Sequence, residues 1–415
     1  MASVRELAEQ AKQASYRLML ATAEEKNNAL KKIAERLLSS TETILAENAK
    51  DVEAAKKAGT KAALVDRLAL SKERVEAIAK DIEGVIALDG PVGKVIESRK
   101  LRNGLRLEKV RVPLGVVGII YESRPNVTID ASALCIKAGN CIVLRGGSDA
   151  INSNRVLVKV LREGLNDAGL SREIVQFVDS TEREKVRELL SLHGLVDVII
   201  PRGSGSLINF VVQNSKVPVI ETGEGNCHIY VDKKADLSRA YPIVVNAKTQ
   251  RPGVCNAAEH LLVHEGIAEK FLPEMVKQLS EKRVEVRGCE KTRKIVSGVK
   301  KATDADWGKE YLDLIIGIKV VSSLDEAIAH INRHSTHHSD AILAEDRETS
   351  EKFLRGVDSA AVYSNASTRF TDGAQFGMGS EIGISTQKLH ARGPMGVNEL
   401  TSSKFVIRGR GQVRE

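Results

Sequence analysis

Residues 115–145 of this chain read GVVGIIYESRPNVTIDASALCIKAGNCIVLR. Two short apolar runs, 115–121 and 141–144, enclose a segment near 129–138 whose apolar residues have helical spacing. A strand, a helix and a second strand in close succession predict a parallel sheet with a right-handed crossover. Because both runs are apolar without alternation, we expect helices to cover both faces of the sheet.

The same alternation extends through most of the chain, whereas residues 2–88 show only helical spacing and are predicted to be helical. After the first strand pair we predict, in order, helix 151–168, strand 174–178, helix 182–192, strand 196–200, helix 205–213 and strand 217–221. A second alternating region spans about 236–383, with strands near 260–263, 318–321, 341–343 and 360–363. The sequence therefore predicts an α/β protein with two parallel-sheet domains.

A small β element is predicted from two separate segments. Asn103-Gly104 is a hairpin signal between the strand-like residues 94–102 and 105–112, and residues 403–408 are also strand-like. Such a polar-faced ribbon cannot bury its own apolar side, so we expect it to pair with another strand in at least a homodimer.

Composition restricts the class of protein. A chain of 415 residues with 42% hydrophobic and 28% charged residues is typical of a soluble protein of two or three domains. The net charge is +7, but basic and acidic residues alternate and no basic block carries aromatic residues, which argues against nucleic-acid binding. A modest positive excess suits anionic, phosphorylated ligands. No apolar run approaches the ~20 residues that span a bilayer, and no apolar leader is present, so we expect a cytoplasmic protein.

The cysteines do not form a recognisable framework. They are odd in number, scattered, and without C-x-x-C spacing, which argues against disulfides and structural zinc. The five positions are Cys135, Cys141, Cys227, Cys255 and Cys289. A cluster of His334, His337 and His338 is interpreted as a surface turn, because no acidic or cysteine partner completes a metal-ligand set. No metal is therefore expected.

Cys255 is the candidate nucleophile. It follows Pro252-Gly253-Val254, so we expect it on a turn leading into a helix, where free amides lower a thiol pKa and hold an oxyanion. The same local context also fits a small buried structural cysteine.

Glu221 is a second candidate. It is expected to end a strand immediately before the glycine-rich turn 222–226, at the sheet edge where parallel-sheet proteins bind ligands. Taken alone, it could equally be a surface acid.

Together these two motifs resemble the aldehyde dehydrogenase superfamily, which has a strand-end glutamate and a later cysteine nucleophile. Glu221 and Cys255 lie 34 positions apart, similar to the separation in that family. Residues 138–145 resemble the family's segment that leads to the cofactor ribose. Gly203-Ser204 resemble the residues whose amides bind the cofactor diphosphate, and Glu310 resembles the acid that binds the nicotinamide ribose. The resemblance covers essentially the whole chain.

The resemblance implies an aldehyde-dehydrogenase-like fold with three parts. A Rossmann-type cofactor-binding domain is expected from 1–97 and 115–236 with part of 386–402, and a second α/β, catalytic domain from 237–385. The small β oligomerisation flap is expected from 98–114 and 403–415.

Four further segments narrow the resemblance to the branch that acts on an acyl phosphate of glutamate. They are 121–128, 249–257, 334–340 and 369–373. The implied reaction is the NADPH-dependent reduction of L-glutamate 5-phosphate to L-glutamate 5-semialdehyde and phosphate, in proline biosynthesis, through a Cys255 thioester. Glu221, the hydrolytic base of oxidising relatives, is expected to have a lesser role. The implied partners are further copies of the chain and glutamate 5-kinase.

The chain departs from the superfamily pattern at the oxyanion donor. Counting back from Gly139, the position of the usual asparagine falls near Glu122, while Asn126 follows four residues later. Asn126 is therefore the candidate side-chain donor, alongside the amide of Cys255.

The cofactor and substrate residues also differ from the general pattern. Arg145 occupies the usual lysine position, and Ser148 replaces the carboxylate of NAD-preferring relatives, which favours NADPH. Gly146 and Gly147 are expected to leave room for its 2′-phosphate. Arg124 and Arg251 are the candidates for substrate binding.

Three alternatives stay open on the sequence alone. One is NAD(P)-dependent oxidation of an acidic aldehyde. The others are a thiol acyltransferase that uses Cys255 without nicotinamide, and a non-catalytic nucleotide-binding protein.

Overall fold

The computed structural model describes residues 2–414 and divides into two compact units. The first contains the chain up to Thr222, Gly377–Gly383 and the segment from Met395 onward. The second contains Gly223–Phe376 and Ile384–Pro394. The segment 377–395 thus contributes to both units in turn.

The helices confirm the predicted helical N-terminal region and the helices between strands. Ser3 and Thr22 begin the first two helices with capping boxes, each closed by a glutamate three residues later. The α-helices are α1 Val4–Leu18, α2 Ala23–Ser39, α3 Thr41–Lys57, α4 Ala62–Leu68, α5 Lys72–Ala87, α6 Asn126–Lys137, α7 Ile151–Asp167, α8 Arg183–Leu190, α9 Gly205–Asn214, α10 Leu237–Thr249, α11 Glu265–Glu281, α12 Glu290–Ile295, α13 Leu324–His334 and α14 Arg347–Gly356.

The strands form four sheets. They are β1 Val95–Lys100, β2 Arg106–Pro113, β3 Val116–Tyr121, β4 Cys141–Arg145, β5 Val175–Phe177, β6 Val198–Arg202, β7 Cys227–Val231, β8 Ala258–His264, β9 Glu285–Gly288, β10 Lys300–Lys301, β11 Ile315–Val321, β12 Ser339–Leu343, β13 Ala361–Ser364, β14 Ile384–Ser385, β15 Gly393–Pro394 and β16 Thr401–Arg408.

The first unit is built on a parallel four-stranded sheet in the order β5-β4-β3-β6. All residues of β3 and β4 are buried, as their unbroken apolar runs predicted. The strand predicted at 217–221 is wrong: only a single bridge joins Val219 to Ile199 of β6. Pro218 has no N–H to donate, so the ladder cannot continue through it.

A separate antiparallel sheet in the first unit has the order β1-β2-β16. The C-terminal strand β16 pairs with β2 along its whole length, from Thr401 opposite Pro113 to Arg408 opposite Arg106. The predicted hairpin and tail strand are therefore confirmed, but the tail pairs within its own chain. Phe405 remains 56% exposed on this sheet.

The second unit contains a parallel seven-stranded sheet in the order β10-β9-β11-β8-β7-β12-β13. Phe271, Leu272 and Met275 of α11 are fully buried in its aliphatic core. Strand β7, which the sequence did not predict, lies inside this sheet, so the division between the units falls at 222/223 rather than the expected 236/237. The functional labels of the two units remain predictions.

The helices described within residues 2–414 include none with the length and apolar character needed to cross a membrane.

Gly164 allows two helices of the first unit to pack backbone against backbone. A Cβ added to this residue of α7 would lie 2.7 Å from the Cα of Ile33 in α2. Main-chain atoms cannot move aside as a side-chain end can, so the close helix contact depends on glycine at this position.

We therefore expect Gly164→Ala to lower the free energy of unfolding by about 1–3 kcal/mol through overpacking. Gly84→Ala is the matched control, because Gly84 lies in α5 with no atom within 4 Å of an added Cβ. That control removes backbone entropy from the unfolded chain and should stabilise by about 0.5–1 kcal/mol. Denaturant midpoints of the two variants measure both effects, and equal effects would contradict the packing argument.

Candidate active site

Cys255 is half-buried on a turn between the end of α10 and the start of β8. The prediction that this turn leads into a helix is wrong, because the apolar run that follows forms a central strand of the seven-stranded sheet. No helix N-terminus therefore acts on the thiol from the residues that follow it. Instead the carbonyl oxygen of Cys255 accepts a hydrogen bond from the Sγ of buried Cys227, at 3.2 Å.

Gly225 packs directly against the backbone of Cys255. A Cβ at Gly225 would overlap the carbonyl oxygen and carbonyl carbon of Cys255, so no side chain fits there. The amide N of Gly225 donates to Oε1 of Glu310 at 2.7 Å. The glycine-rich turn thus holds the main chain of the candidate nucleophile.

Asn226 anchors that turn by hydrogen bonds. Its buried side-chain amide donates to the carbonyl oxygens of Trp307 at 3.0 Å and His334 at 2.7 Å. Its backbone amide donates to Oγ1 of Thr336 at 2.9 Å, and the Thr336 hydroxyl donates to the carbonyl oxygen of Glu224. Four hydrogen bonds therefore hold Glu224–Asn226 as a rigid support.

Glu310, predicted to bind the nicotinamide ribose, is half-buried in the second unit. Burial raises the pKa of its carboxyl group, and the hydrogen bond from the Gly225 amide opposes that shift. One carboxylate oxygen is thus engaged with the nucleophile's support.

A buried ion pair also lies in this unit and had no signal in the sequence. Nζ of Lys248, near the end of α10, is 2.9 Å from Oε2 of Glu259 in β8, and neither side chain is exposed. Burial lowers the pKa of Lys248 and raises the pKa of Glu259 to about 7. Removing either partner alone would leave an uncompensated buried charge close to the nucleophile turn.

The histidines are more deeply buried than predicted. His338 is fully buried rather than part of a surface turn, because it is the first residue before the buried strand β12. The rings of His228, His260 and His330 pack together, and burial lowers the pKa of His330 to about 2, which keeps it neutral. Within residues 2–414, no group of three or more His, Cys, Asp or Glu side chains is arranged to hold a metal ion.

Arg145 ends β4 in the first unit, and only 9% of it is exposed. One terminal guanidinium nitrogen donates to the carbonyl oxygen of Thr181 at 3.3 Å, while its buried Nε has no partner among the described residues. Burial lowers the pKa of Arg145, and the charge of Arg183 lowers it further. Ser148 is exposed at the start of a single 3₁₀ turn, Ser148–Ala150.

Of the two glycines between Arg145 and Ser148, Gly146 does not provide the expected room. A Cβ on Gly146 would overlap the side-chain amide of Asn154, and one on Gly147 would overlap the carboxylate of Asp149. Buried Asn154 packs on Gly146, so glycine there serves local packing. Asp149 is exposed and its carboxylate can move, so room for a ligand at Gly147 stays a prediction.

Gly203 and Ser204 precede α9, as predicted for a diphosphate-binding turn. The Ser204 amide, however, donates to Oε2 of Glu122 at 2.8 Å, and a Cβ on Gly203 would overlap the same carboxylate. Glu122 therefore caps this helix start with a negative charge and is not a candidate oxyanion donor.

Asn126 is the first residue of α6, and its side-chain amide donates to Oδ2 of Asp130 at 2.8 Å. Burial raises the pKa of Asp130 to about 7. Asp130 was not among the predicted site residues, although an amide and a carboxylate four residues apart on a helix are a recognisable pair.

The remaining candidates are divided between the units. Glu221, half-buried, and Arg124, exposed, belong to the first unit, whereas exposed Arg251 belongs to the second with Cys255. Next to Glu221, the hydroxyl of buried Thr222 donates to the carbonyl oxygen of Pro201 at 2.7 Å and anchors the chain there.

Comparison with known proteins identifies the relatives of this chain. The model of the aldehyde dehydrogenase family matches residues 1–302. The chain is 57% identical over 406 residues to the gamma-glutamyl phosphate reductase of Clostridium botulinum (strain Eklund 17B), covering 98% of each chain. It is 58% identical over 404 residues to that of Clostridium perfringens (strain SM101), covering 97% of each.

Solved structures confirm the expected fold. The crystal structure of gamma-glutamyl phosphate reductase from Thermotoga maritima superposes with a TM-score of 0.98 at 54% identity, covering 100% of each chain. An acetylating aldehyde dehydrogenase from Geobacillus thermoglucosidasius, at 19% identity, reaches a TM-score of 0.71, with 99% of this chain and 97% of that chain covered. The more distant likeness shows the fold alone.

The close contact of Gly225 with Cys255 leads to a test. We expect Gly225→Ala to displace the Cys255 main chain and to change the rate at which iodoacetamide alkylates Cys255 by about 10-fold or more, because thiol reactivity depends on its surroundings. Gly308→Ala is the control, since nothing lies within 4 Å of a Cβ there. Mass spectrometry of the Cys255 peptide gives the rates, and an unchanged rate in a folded Gly225→Ala protein would contradict the proposed support.

Proposed function

Because this chain belongs to the aldehyde dehydrogenase family, we propose that it reduces L-glutamate 5-phosphate to L-glutamate 5-semialdehyde and phosphate, as a step of proline biosynthesis. The observation that carries the proposal is the identity of 57% to a gamma-glutamyl phosphate reductase over 98% of both chains. The chain is accordingly an oxidoreductase that uses a nicotinamide cofactor.

Cys255 is the proposed nucleophile. Its thiolate attacks the acyl carbonyl, the bond to the phosphate oxygen breaks, and a thioester remains on the enzyme. The Gly225 packing and the Cys227 hydrogen bond hold the main chain of this residue in place.

Oxyanion stabilisation is assigned to two donors. The amide of Cys255 is one, and the side-chain amide of Asn126, oriented by Asp130, is the proposed second. Acyl transfer from a phosphate needs no hydrolytic water because phosphate is itself a good leaving group. We therefore propose that Glu221, which would be the base in a hydrolytic reaction, has a lesser role here.

NADPH is the proposed cofactor, and when bound its nicotinamide supplies the hydride that converts the thioester to the aldehyde. The residues proposed to hold it are Arg145, Ser148, Gly203, Ser204 and Glu310. The buried Nε of Arg145 without a protein partner fits an anionic group at the end of β4. Binding a diphosphate at the Ser204 amide requires exchange of its present hydrogen bond to Glu122.

We also propose that the chain forms at least a homodimer, acts in the cytoplasm and receives its substrate from glutamate 5-kinase. Exposed apolar residues on the three-stranded sheet support self-association. They are Val95, Ile96, Phe405 and Ile407, each about half exposed.

The reverse reaction tests the proposed chemistry. The wild-type protein should reduce NADP in the presence of glutamate semialdehyde only when phosphate is added, since phosphate must release the acyl group from Cys255. Cys255→Ala should lower this activity to less than about a tenth while leaving NADPH affinity unchanged, because only the covalent step is lost. NADP reduction without phosphate would instead support oxidation of an acidic aldehyde, and full NADP reduction by Cys255→Ala would contradict the assignment of the nucleophile.

Cofactor choice is tested at Ser148. We expect the wild-type protein to prefer NADPH by about 10–100-fold. A carboxylate at this position would repel the 2′-phosphate by roughly 1–3 kcal/mol, so Ser148→Glu should reverse the preference. Arg145→Ala should weaken NADPH more than NADH. The measurement is kcat/KM with each cofactor, and equal use of both by the wild-type protein would refute the assignment.

A further inference from the structure

A short segment of the second unit is fastened to the residue that follows the nucleophile. The hydroxyl of buried Thr368 donates to the carbonyl oxygen of Asn256 at 2.7 Å. In return, the side-chain amide of Asn256 donates to the carbonyl oxygen of Thr371 at 2.9 Å. These reciprocal bonds keep Thr368–Phe370 next to Cys255.

Arg369, within that segment, is also fastened to the residues before the nucleophile. Its Nε donates to Oε1 of Gln250, the C-terminal cap of α10, at 2.7 Å. The segment that carries Arg369 is therefore hydrogen-bonded both to Gln250, before Cys255 in the chain, and to Asn256, after it. Its guanidinium group cannot leave this position without breaking one of them.

This guanidinium group has a positive neighbour, Arg251, and forms no ion pair with a carboxylate among residues 2–414. Among the ion pairs described for residues 2–414, none involves Arg369 or Arg251. Asp372, the nearest acid in sequence, uses its Oδ1 to accept from the amides of Ala374 at 3.0 Å and Gln375 at 3.3 Å. Partial burial lowers the pKa of Arg369, and the charge of Arg251 lowers it further, while the charge of Asp372 opposes both effects.

Two like charges near a nucleophile repel each other, and an anion between them relieves that repulsion. We propose that Arg369, assisted by Arg251, binds the phosphate group of the acyl-phosphate substrate at Cys255. The inference rests on the function proposed above and assigns the anion site of that reaction. A guanidinium group offers parallel N–H donors that match phosphate oxygens, and within residues 2–414 the guanidinium donor of Arg369 with a hydrogen-bond acceptor is Nε.

The proposed step transfers the acyl group from phosphate to Cys255. The Cys255 sulfur forms a bond to the acyl carbon, and the carbon–oxygen bond to phosphate breaks with its electron pair moving to the phosphate oxygen. The proton lost by the thiol is taken up by the released phosphate, so a thiol and an acyl phosphate become a thioester and hydrogen phosphate. Negative charge grows on the phosphate during the step, where Arg369 stabilises it.

The experiment measures KM values in the reverse direction, with NADP, glutamate semialdehyde and phosphate. We expect Arg369→Met to raise the KM for phosphate by about 10-fold or more while changing the KM for the semialdehyde by less than about 2-fold. Arg355→Met is the matched control, because exposed Arg355 on α14 also donates one Nε hydrogen bond, at 3.2 Å to a carbonyl oxygen. A rise in the semialdehyde KM instead, or no change in either, would overturn the proposal.

A second measurement does not depend on turnover. Inorganic phosphate, compared with chloride at equal ionic strength, should slow iodoacetamide alkylation of Cys255 in the wild-type protein and not in Arg369→Met. If the wild-type protein shows this protection but no phosphate-dependent NADP reduction, the proposed function fails while the anion site stands. If Arg369→Met has a lower melting temperature than the wild-type protein, Arg369→Gln is used instead, because its side-chain amide can still donate to Gln250. Absence of protection in the wild-type protein overturns the site.

Discussion

The contact on which the candidate site depends is steric: the backbone of Gly225 lies against the backbone of Cys255. Because no Cβ fits there, the two loops approach more closely than any other residue would allow. Hydrogen bonds then fix the contact, from Cys227 to the Cys255 carbonyl and from the Gly225 amide to Glu310. A turn would otherwise be mobile, and these contacts fix the main chain of the candidate nucleophile without a helix N-terminus.

Charge is distributed around the candidate binding groups in a consistent way. Carboxylates accept hydrogen bonds from backbone amides in both units. Glu122 accepts from the Ser204 amide, which the family resemblance assigns to the cofactor, and Glu310 accepts from the Gly225 amide next to Cys255. Two guanidinium groups, by contrast, are only partly paired by the residues that the structure describes: buried Nε of Arg145 has no partner among them, and Arg369 donates to them through Nε. Anionic ligands offer hydrogen-bond acceptors, so arginine side chains with unused N–H donors are suited to bind them. The carboxylates, in turn, accept hydrogen bonds from backbone amides within the protein.

The sequence predicted elements well where a single pattern was uninterrupted, as in β3 and β4, whose apolar runs are wholly buried. It failed where a local feature conflicted with the pattern. Strand β7 was missed because His228 lies within a short run that directly follows a glycine-rich turn, and in the fold that histidine is buried. The strand expected at 217–221 shrank to one bridge because Pro218 cannot donate. The missed strand β7 moved the boundary between the units from 236/237 to 222/223.

The sequence by itself determined the properties that depend on neighbours a few positions apart. These are the alternation of helices and strands, the thiol at Cys255 and the neutral Ser148 beside Arg145. Only the tertiary structure decided which distant groups share a hydrogen bond, such as Arg369 with Gln250, 119 positions away. The physical reason is that periodicity and residue chemistry act along the chain, whereas packing distance depends on the path of the whole chain through the sheet.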